Sequence, residues 1–204
     1  MKIEDYSHLV GGLDFKVCDN VVSFEDQINI QQTLLRYDFP WYYNADVSTD
    51  NGVQKRPGMF HKFIDNDGNV NSPHFDIVIK LIRYAEQVTN RKFNFVKRAA
   101  TFLQFPLSQD MIDHSVLDQY HIDSNHPEPF WVILYYANSY DGETVFSDTI
   151  FDGSEDSIVD HDNFNIVKTV QGVQGRFSFF DGSIYHAATQ PRKDMKCIIN
   201  INVS

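Results

Sequence analysis

The residues best placed to do chemistry are His121 and Asp123, separated by Ile122 in the stretch Gln119-Tyr120-His121-Ile122-Asp123-Ser124. Alternate side chains of a β-strand share a face, so this pattern sends an imidazole and a carboxylate to one side and Ile122 to the other. A second imidazole, His186, follows an apolar run and a turn in Arg176-Phe177-Ser178-Phe179-Phe180-Asp181-Gly182-Ser183-Ile184-Tyr185-His186. Two imidazoles and one carboxylate occupy one face of an octahedral ion and leave the other face open, a donor set suited to Fe(II). Taken alone, His-x-Asp is a weak signal, because short patterns recur by chance and such a pair is often plain solvated surface. The other histidines, His8, His61, His74, His114, His126 and His161, lack a comparable context. His126 sits beside Pro127 and Pro129 in a loop, which suits substrate contact rather than metal ligation.

The elements that must position this set read as a mainly β chain with helices before it. Ser23 followed by Phe24-Glu25-Asp26 has the form of a helix cap with acids in the first turn, and Ile28, Ile30, Leu34 and Leu35 give a partial apolar stripe ending near Asp38. From Trp41 to Gly68 the chain is rich in Asn, Asp and Gly and predicts loop with short strands. A second helix is capped by Ser72, with Pro73 at its first position and Phe75, Val78, Ile79, Ile82 and Ala85 at helical spacing, and it should pack on a sheet. From Phe93 onward short aromatic and β-branched runs predict strands at 92–96, 100–105, 119–122, 131–137, 144–146, 166–170, 176–180 and 196–203. The expected organisation is one domain over 1–204, with a helical and loop part at 1–92 and a β core at 93–204. The acidic stretch from Asp152 to Asp162 reads as a solvated surface loop.

The balance of 17 Lys and Arg against 28 Asp and Glu gives a net charge of -11, which disfavours a nucleic-acid partner. The two cysteines, Cys18 and Cys197, are far apart and lack metal-ligand spacing, so neither a disulfide framework nor a zinc knuckle is indicated. The first residues lack the apolar core of a signal peptide and no run approaches a membrane span, so a soluble, cytoplasmic protein is expected.

From near Arg98 to the C-terminus, this order of features resembles the 2-oxoglutarate and Fe(II)-dependent oxygenases, in particular their prolyl 4-hydroxylase-like branch. Ile133-Leu134-Tyr135-Tyr136-Ala137-Asn138 with Asp141-Gly142-Glu143-Thr144 is similar to the strand and turn after the His-x-Asp pair, and Gly175 to Gly182 to the strand that delivers the distal histidine. The resemblance implies a double-stranded β-helix (jelly-roll) core buttressed by the helices. It implies that His121, Asp123 and His186 hold Fe(II), with 2-oxoglutarate as cosubstrate and dioxygen as oxidant.

Such enzymes place a basic residue shortly after the distal histidine, because a distal carboxylate in an apolar cavity needs a cation. Lys196, at the start of a strand, is the favoured residue, and Arg192, in a turn after Pro191, is the competitor. Tyr136 stands where relatives carry a tyrosine assisting at the same carboxylate, or it is a core aromatic. Phe105 occupies a position where relatives often have tyrosine. Gln104 or Thr101 would have to compensate, and at most one of them can point inward.

With Asp123 present, unlike in related halogenases, hydroxylation of a C–H bond is the implied reaction. The implied substrate is a peptidyl proline or another protein side chain, with the 41–68 loop as a lid; a free amino acid or small metabolite is the alternative. A zinc hydrolase or a non-catalytic ligand-binding jelly roll stays open as a different class. Oligomeric state and any need for ascorbate are open as well.

Overall fold

In the computed structural model the described residues are 1–47, 55–65, 68–113, 117–124, 128–153 and 164–204. Among them the chain forms eleven strands and two α-helices: β1 (Lys2–Asp5), β2 (Phe15–Asp19), α1 (Phe24–Leu34), β3 (Tyr42–Asn44), β4 (Gly58–Lys62), α2 (Phe75–Thr89), β5 (Val96–Gln104), β6 (Trp131–Tyr136), β7 (Glu143–Ile150), β8 (Ile166–Gln171), β9 (Phe177–Asp181), β10 (Ile184–Ala188) and β11 (Lys196–Val203). The strands make two antiparallel sheets, a major one in the order β1-β2-β9-β6-β11-β5-β4-β3 and a minor one in the order β10-β7-β8. The sheets face one another across Phe15, Val132, Leu134, Tyr136 and Phe180 from the major sheet and Phe146, Val170 and Ile184 from the minor. This is the expected jelly-roll core.

Strand alternation sorts the major sheet into two faces. Ile133 and Tyr135 of β6, Phe177 and Phe179 of β9, and Cys197, Ile199, Ile201 and Val203 of β11 face the helices and are buried with Val78, Leu81 and Ala85 of α2. Each large aliphatic side chain removed from water there contributes about 1.5–3 kcal/mol. Ile77 and Leu81 are buried on α2 where the helical reading chose Ile79, which is only half-buried. Both cysteines lie in this layer as free thiols, and burial pushes each up to about 12.

Three local readings need correction. Ser23 caps α1 through its Oγ, which accepts Asp26 N–H at 3.2 Å, but the helix stops at Leu34 rather than near Asp38, because the Trp41 indole donates to the Leu34 carbonyl at 3.0 Å. Ser72 lies before the second helix without capping it. Its hydroxyl accepts His74 N–H and meets the His61 ring at 2.8 Å, and α2 begins at Phe75. The part up to residue 92 also holds β1 and β2, which add one flank of the major sheet, while β3 and β4 on the other flank are short strands within 41–68 as read. The expected breaks also shift: 92–96 and 100–105 merge into the single strand β5, and β10 was not anticipated. Most of the acidic stretch and residues 48–54 and 66–67 of the expected lid lie outside the described residues, as do His114, His126 and His161. No described helix is long and apolar enough to cross a membrane.

Candidate metal and cosubstrate site

The segment around His121 runs antiparallel to β10 without forming a strand. Asp118 N–H bonds to Ala188 O at 2.9 Å, and His121 and His186 exchange backbone bonds of 3.0 and 3.1 Å. Three residues on one side thus span two on the other, so the regular alternation expected for 119–122 breaks, and Ile122 lines the same cavity as its neighbours. Tyr120 anchors the segment, stacked on Phe164 at 4.1 Å between ring centroids and packed with Val145, Tyr185 and Ala187. His186 is delivered by the β9–β10 turn, where the Asp181 carboxylate accepts both the Ser183 N–H and its hydroxyl. A register shift between Ile184 and His186 against β7 turns the ring inward, onto Phe180 at 5.0 Å.

The outcome is the set the spacing suggested: ligand atoms of His121, Asp123 and His186 lie within 4.8 Å of one another. His121 Nδ1 is 3.0 Å from Gln119 O, and His186 Nδ1 is 3.2 Å from Ile184 O. A carbonyl oxygen can only accept, so each Nδ1 donates there, which leaves Nε2 as the ring atom turned to a metal. Burial and the neighbouring His121 ring push the His186 imidazole down to about 4, so it stays neutral. Asp123 is gripped from the major sheet, by Asn200 Nδ2 at 2.9 and 3.2 Å and by Arg98 Nη1 at 3.3 Å. Burial pushes its carboxyl up, but Arg98, the two imidazoles and Asn200 outweigh this and hold it below the usual range. Two imidazoles and one carboxylate with ligand atoms this close fit a divalent transition metal.

The site opens into a cavity of about 400 Å³. Lys196, Ile198 and Asn200 line it from β11, and Arg98, Phe102 and Gln104 from β5, in each case the residues on the strand face turned from the helices. Lys196 is 3% exposed, and Asn138 fixes its backbone by accepting Cys197 N–H at 2.8 Å and donating to Met195 O at 2.6 Å. A buried ammonium at one part of the cavity and a metal-ligand set at another fit a ligand with a chelating end and a distal carboxylate.

The other expected contacts fall out differently. Arg192 is exposed on a turn that Asp141 holds by accepting its backbone N–H, and it does not line the cavity. Tyr136 is fully buried with its hydroxyl donated to Thr144 Oγ1 at 3.0 Å, so Thr144 reaches the cavity wall and Tyr136 stands behind it. Gln104 is the inward member of the Thr101/Gln104 pair, while Thr101 donates to Ile198 O and Phe105 is exposed. Sequence reading missed Arg98 and Asn200. Asn200 was legible, since it shares the strand parity of Lys196.

No protein-family model matches the sequence, and no curated protein matches it. Solved structures do. A 2OG-Fe(II) oxygenase family oxidoreductase from Burkholderia pseudomallei has a TM-score of 0.64 at 15% identity, covering 93% of this chain and 84% of that one. A prolyl hydroxylase from Trichoplax adhaerens, in complex with a hypoxia inducible factor oxygen degradation domain peptide fragment, gives 0.61 at 12%, covering 96% and 86%. The epimerase SnoN from nogalamycin biosynthesis, solved with Fe3+, alpha ketoglutarate and nogalamycin RO, gives 0.59 at 13%, covering 93% and 78%. The chain has the fold of the 2-oxoglutarate/Fe(II) oxygenases, prolyl hydroxylases among them.

Proposed function

We propose that this chain is an Fe(II)- and 2-oxoglutarate-dependent dioxygenase that hydroxylates a C–H bond of a peptidyl proline or another protein side chain. The observation that carries the reading is the convergence of His121, Asp123 and His186 within 4.8 Å on a cavity that also holds buried Lys196. Iron and 2-oxoglutarate, when bound, supply the oxidising power, the cosubstrate being decarboxylated to succinate as dioxygen is reduced.

The chain's own residues then have separable tasks. His121 and His186 offer Nε2, their Nδ1 protons being engaged by Gln119 O and Ile184 O. Asp123 offers the anionic ligand, oriented by Asn200 and Arg98. Lys196 meets the distal carboxylate of the cosubstrate as a point charge, and the apolar walls of Leu134, Ala187 and Ile198 keep water from that contact.

A second cavity of about 500 Å³ adjoins the first, sharing Asn44, Arg98, Phe102 and Asp123 and extending along β4 and β5 past Phe60 and Lys62. This elongated groove beside the ligand set favours an extended peptide. The fold's use by SnoN, solved with nogalamycin RO, favours the second reading, a small metabolite. Incubation with Fe(II), 2-oxoglutarate and proline-containing peptides, followed by mass spectrometry, decides between them. Gain of one oxygen atom on a peptide supports the first reading; oxygen gained only by free metabolites supports the second; no 2-oxoglutarate consumed with any substrate contradicts both.

A further inference from the structure

Beside Lys196 lies a buried ion pair to which the preceding reading gives no role. Arg56 is 1% exposed and forms an ion pair through Nη1 with Oδ1 of Asp118, itself 8% exposed and part of the cavity wall. Arg56 directly precedes β4, and its backbone is held by Val47, whose N–H bonds to Arg56 O at 2.9 Å. Gln104 of β5 faces Gly58 of β4 on one side and Lys196 of β11 on the other, so the three strands bring Arg56 and Lys196 to the same end of the cavity.

A carboxylate beside the lysine that should hold an anion is at first sight a fault. Alone, Asp118 would neutralise Lys196 and repel an incoming carboxylate. Arg56 cancels that charge. The buried set of Arg56, Asp118 and Lys196 then carries a single net positive charge, which one carboxylate neutralises. Asp46 also lines the cavity and accepts Arg56 N–H at 3.2 Å, but it is less buried than Asp118 and solvent screens it.

We propose that Arg56 is a positioning residue for the dicarboxylate cosubstrate: by engaging Asp118 it keeps Lys196 available, so the buried charge is balanced only when one distal carboxylate enters. The inference rests on Lys196 being the cosubstrate cation. Burial pushes the Asp118 carboxyl up, against the charges of Lys196 and Arg56, and pushes the Lys196 ammonium down, against the charge of Asp118. Discrimination follows as well, since a keto monoacid leaves the buried positive charge uncompensated.

The test is the affinity of the full chain, loaded with Mn(II), for 2-oxoglutarate and for 2-oxobutyrate, by calorimetry, with thermal melting to confirm folding. Wild type binds the diacid and discriminates against the monoacid; if it binds neither, the cosubstrate reading itself falls and this inference with it. Arg56→Gln weakens diacid binding by about tenfold or more and Asp118→Asn strengthens it, so either single variant that folds is decisive. The double variant strands no buried charge, keeps the net positive charge, and stays within about threefold of wild type. With wild type binding normally, no shift in the single variants, shifts in the same direction, or loss of binding in the double variant overturns the proposal.

Discussion

His121 and His186 clamp each other through reciprocal backbone hydrogen bonds, His121 N–H to His186 O at 3.0 Å and His186 N–H to His121 O at 3.1 Å, with ring centroids 4.5 Å apart. The backbone pairing fixes the separation of their Cα atoms. Each ring also spends its Nδ1 proton on the carbonyl two residues before it. Under the proposed metal-binding role, the ordering cost of bringing the two rings together falls on folding, and a metal would meet a formed pair.

The third ligand is held by side chains, which makes it the more vulnerable one. Asn200 donates to both oxygens of Asp123, at 2.9 and 3.2 Å. Asn200→Ala is expected to lower Mn(II) affinity by about 10- to 100-fold while the histidine pair stays in place. Paramagnetic resonance titration of free Mn(II) measures this, and an affinity equal to wild type would show that Arg98 alone suffices to orient Asp123.

Tyr136 touches the cavity only through Thr144. Tyr136→Phe removes one buried hydrogen bond and should cost about 1 kcal/mol in urea denaturation. Its affinity for 2-oxoglutarate should equal that of wild type. A marked loss of cosubstrate affinity in a folded variant would instead give the tyrosine hydroxyl a direct role.

Asp26 ties the two helices together, with Oδ1 2.6 Å from Lys80 Nζ and Oδ2 accepting the Tyr84 hydroxyl at 2.6 Å. The hydrogen bond from Lys80, then that from Tyr84, hold its carboxyl below the ordinary value in the folded state. Its contribution is therefore complete above the unfolded value of about 4 and fades as pH falls through the lower folded one. Asp26→Asn should cost about 1 kcal/mol at neutral pH, and the difference from wild type should close in acid. A deficit that persists unchanged at low pH would assign the loss to packing.

What the sequence made legible follows from how each residue is held. β11 was read with both ends correct because its alternation is unbroken, with Cys197, Ile199, Ile201 and Val203 against the helices and Lys196, Ile198 and Asn200 toward the cavity. The proposed metal-ligand set was legible as residue types in order, but its geometry was not. His121 and Asp123 converge through an irregular segment tied to β10 and through Asn200 on the opposite sheet, contacts that no local periodicity encodes. β1 escaped notice because Lys2-Ile3-Glu4-Asp5 is a mostly charged edge strand. Arg56 and Asp118 were invisible for a similar reason: a buried ion pair between two non-repeating segments leaves no pattern in either.

The central claim is that one cavity holds both the metal and the cosubstrate. Anaerobic addition of Fe(II) and 2-oxoglutarate should produce the weak visible metal-to-ligand charge-transfer band of a chelated keto acid, abolished in His121→Ala and weakened in Lys196→Ala. A folded wild-type protein that gives no band, or a band that survives in His121→Ala, would contradict it.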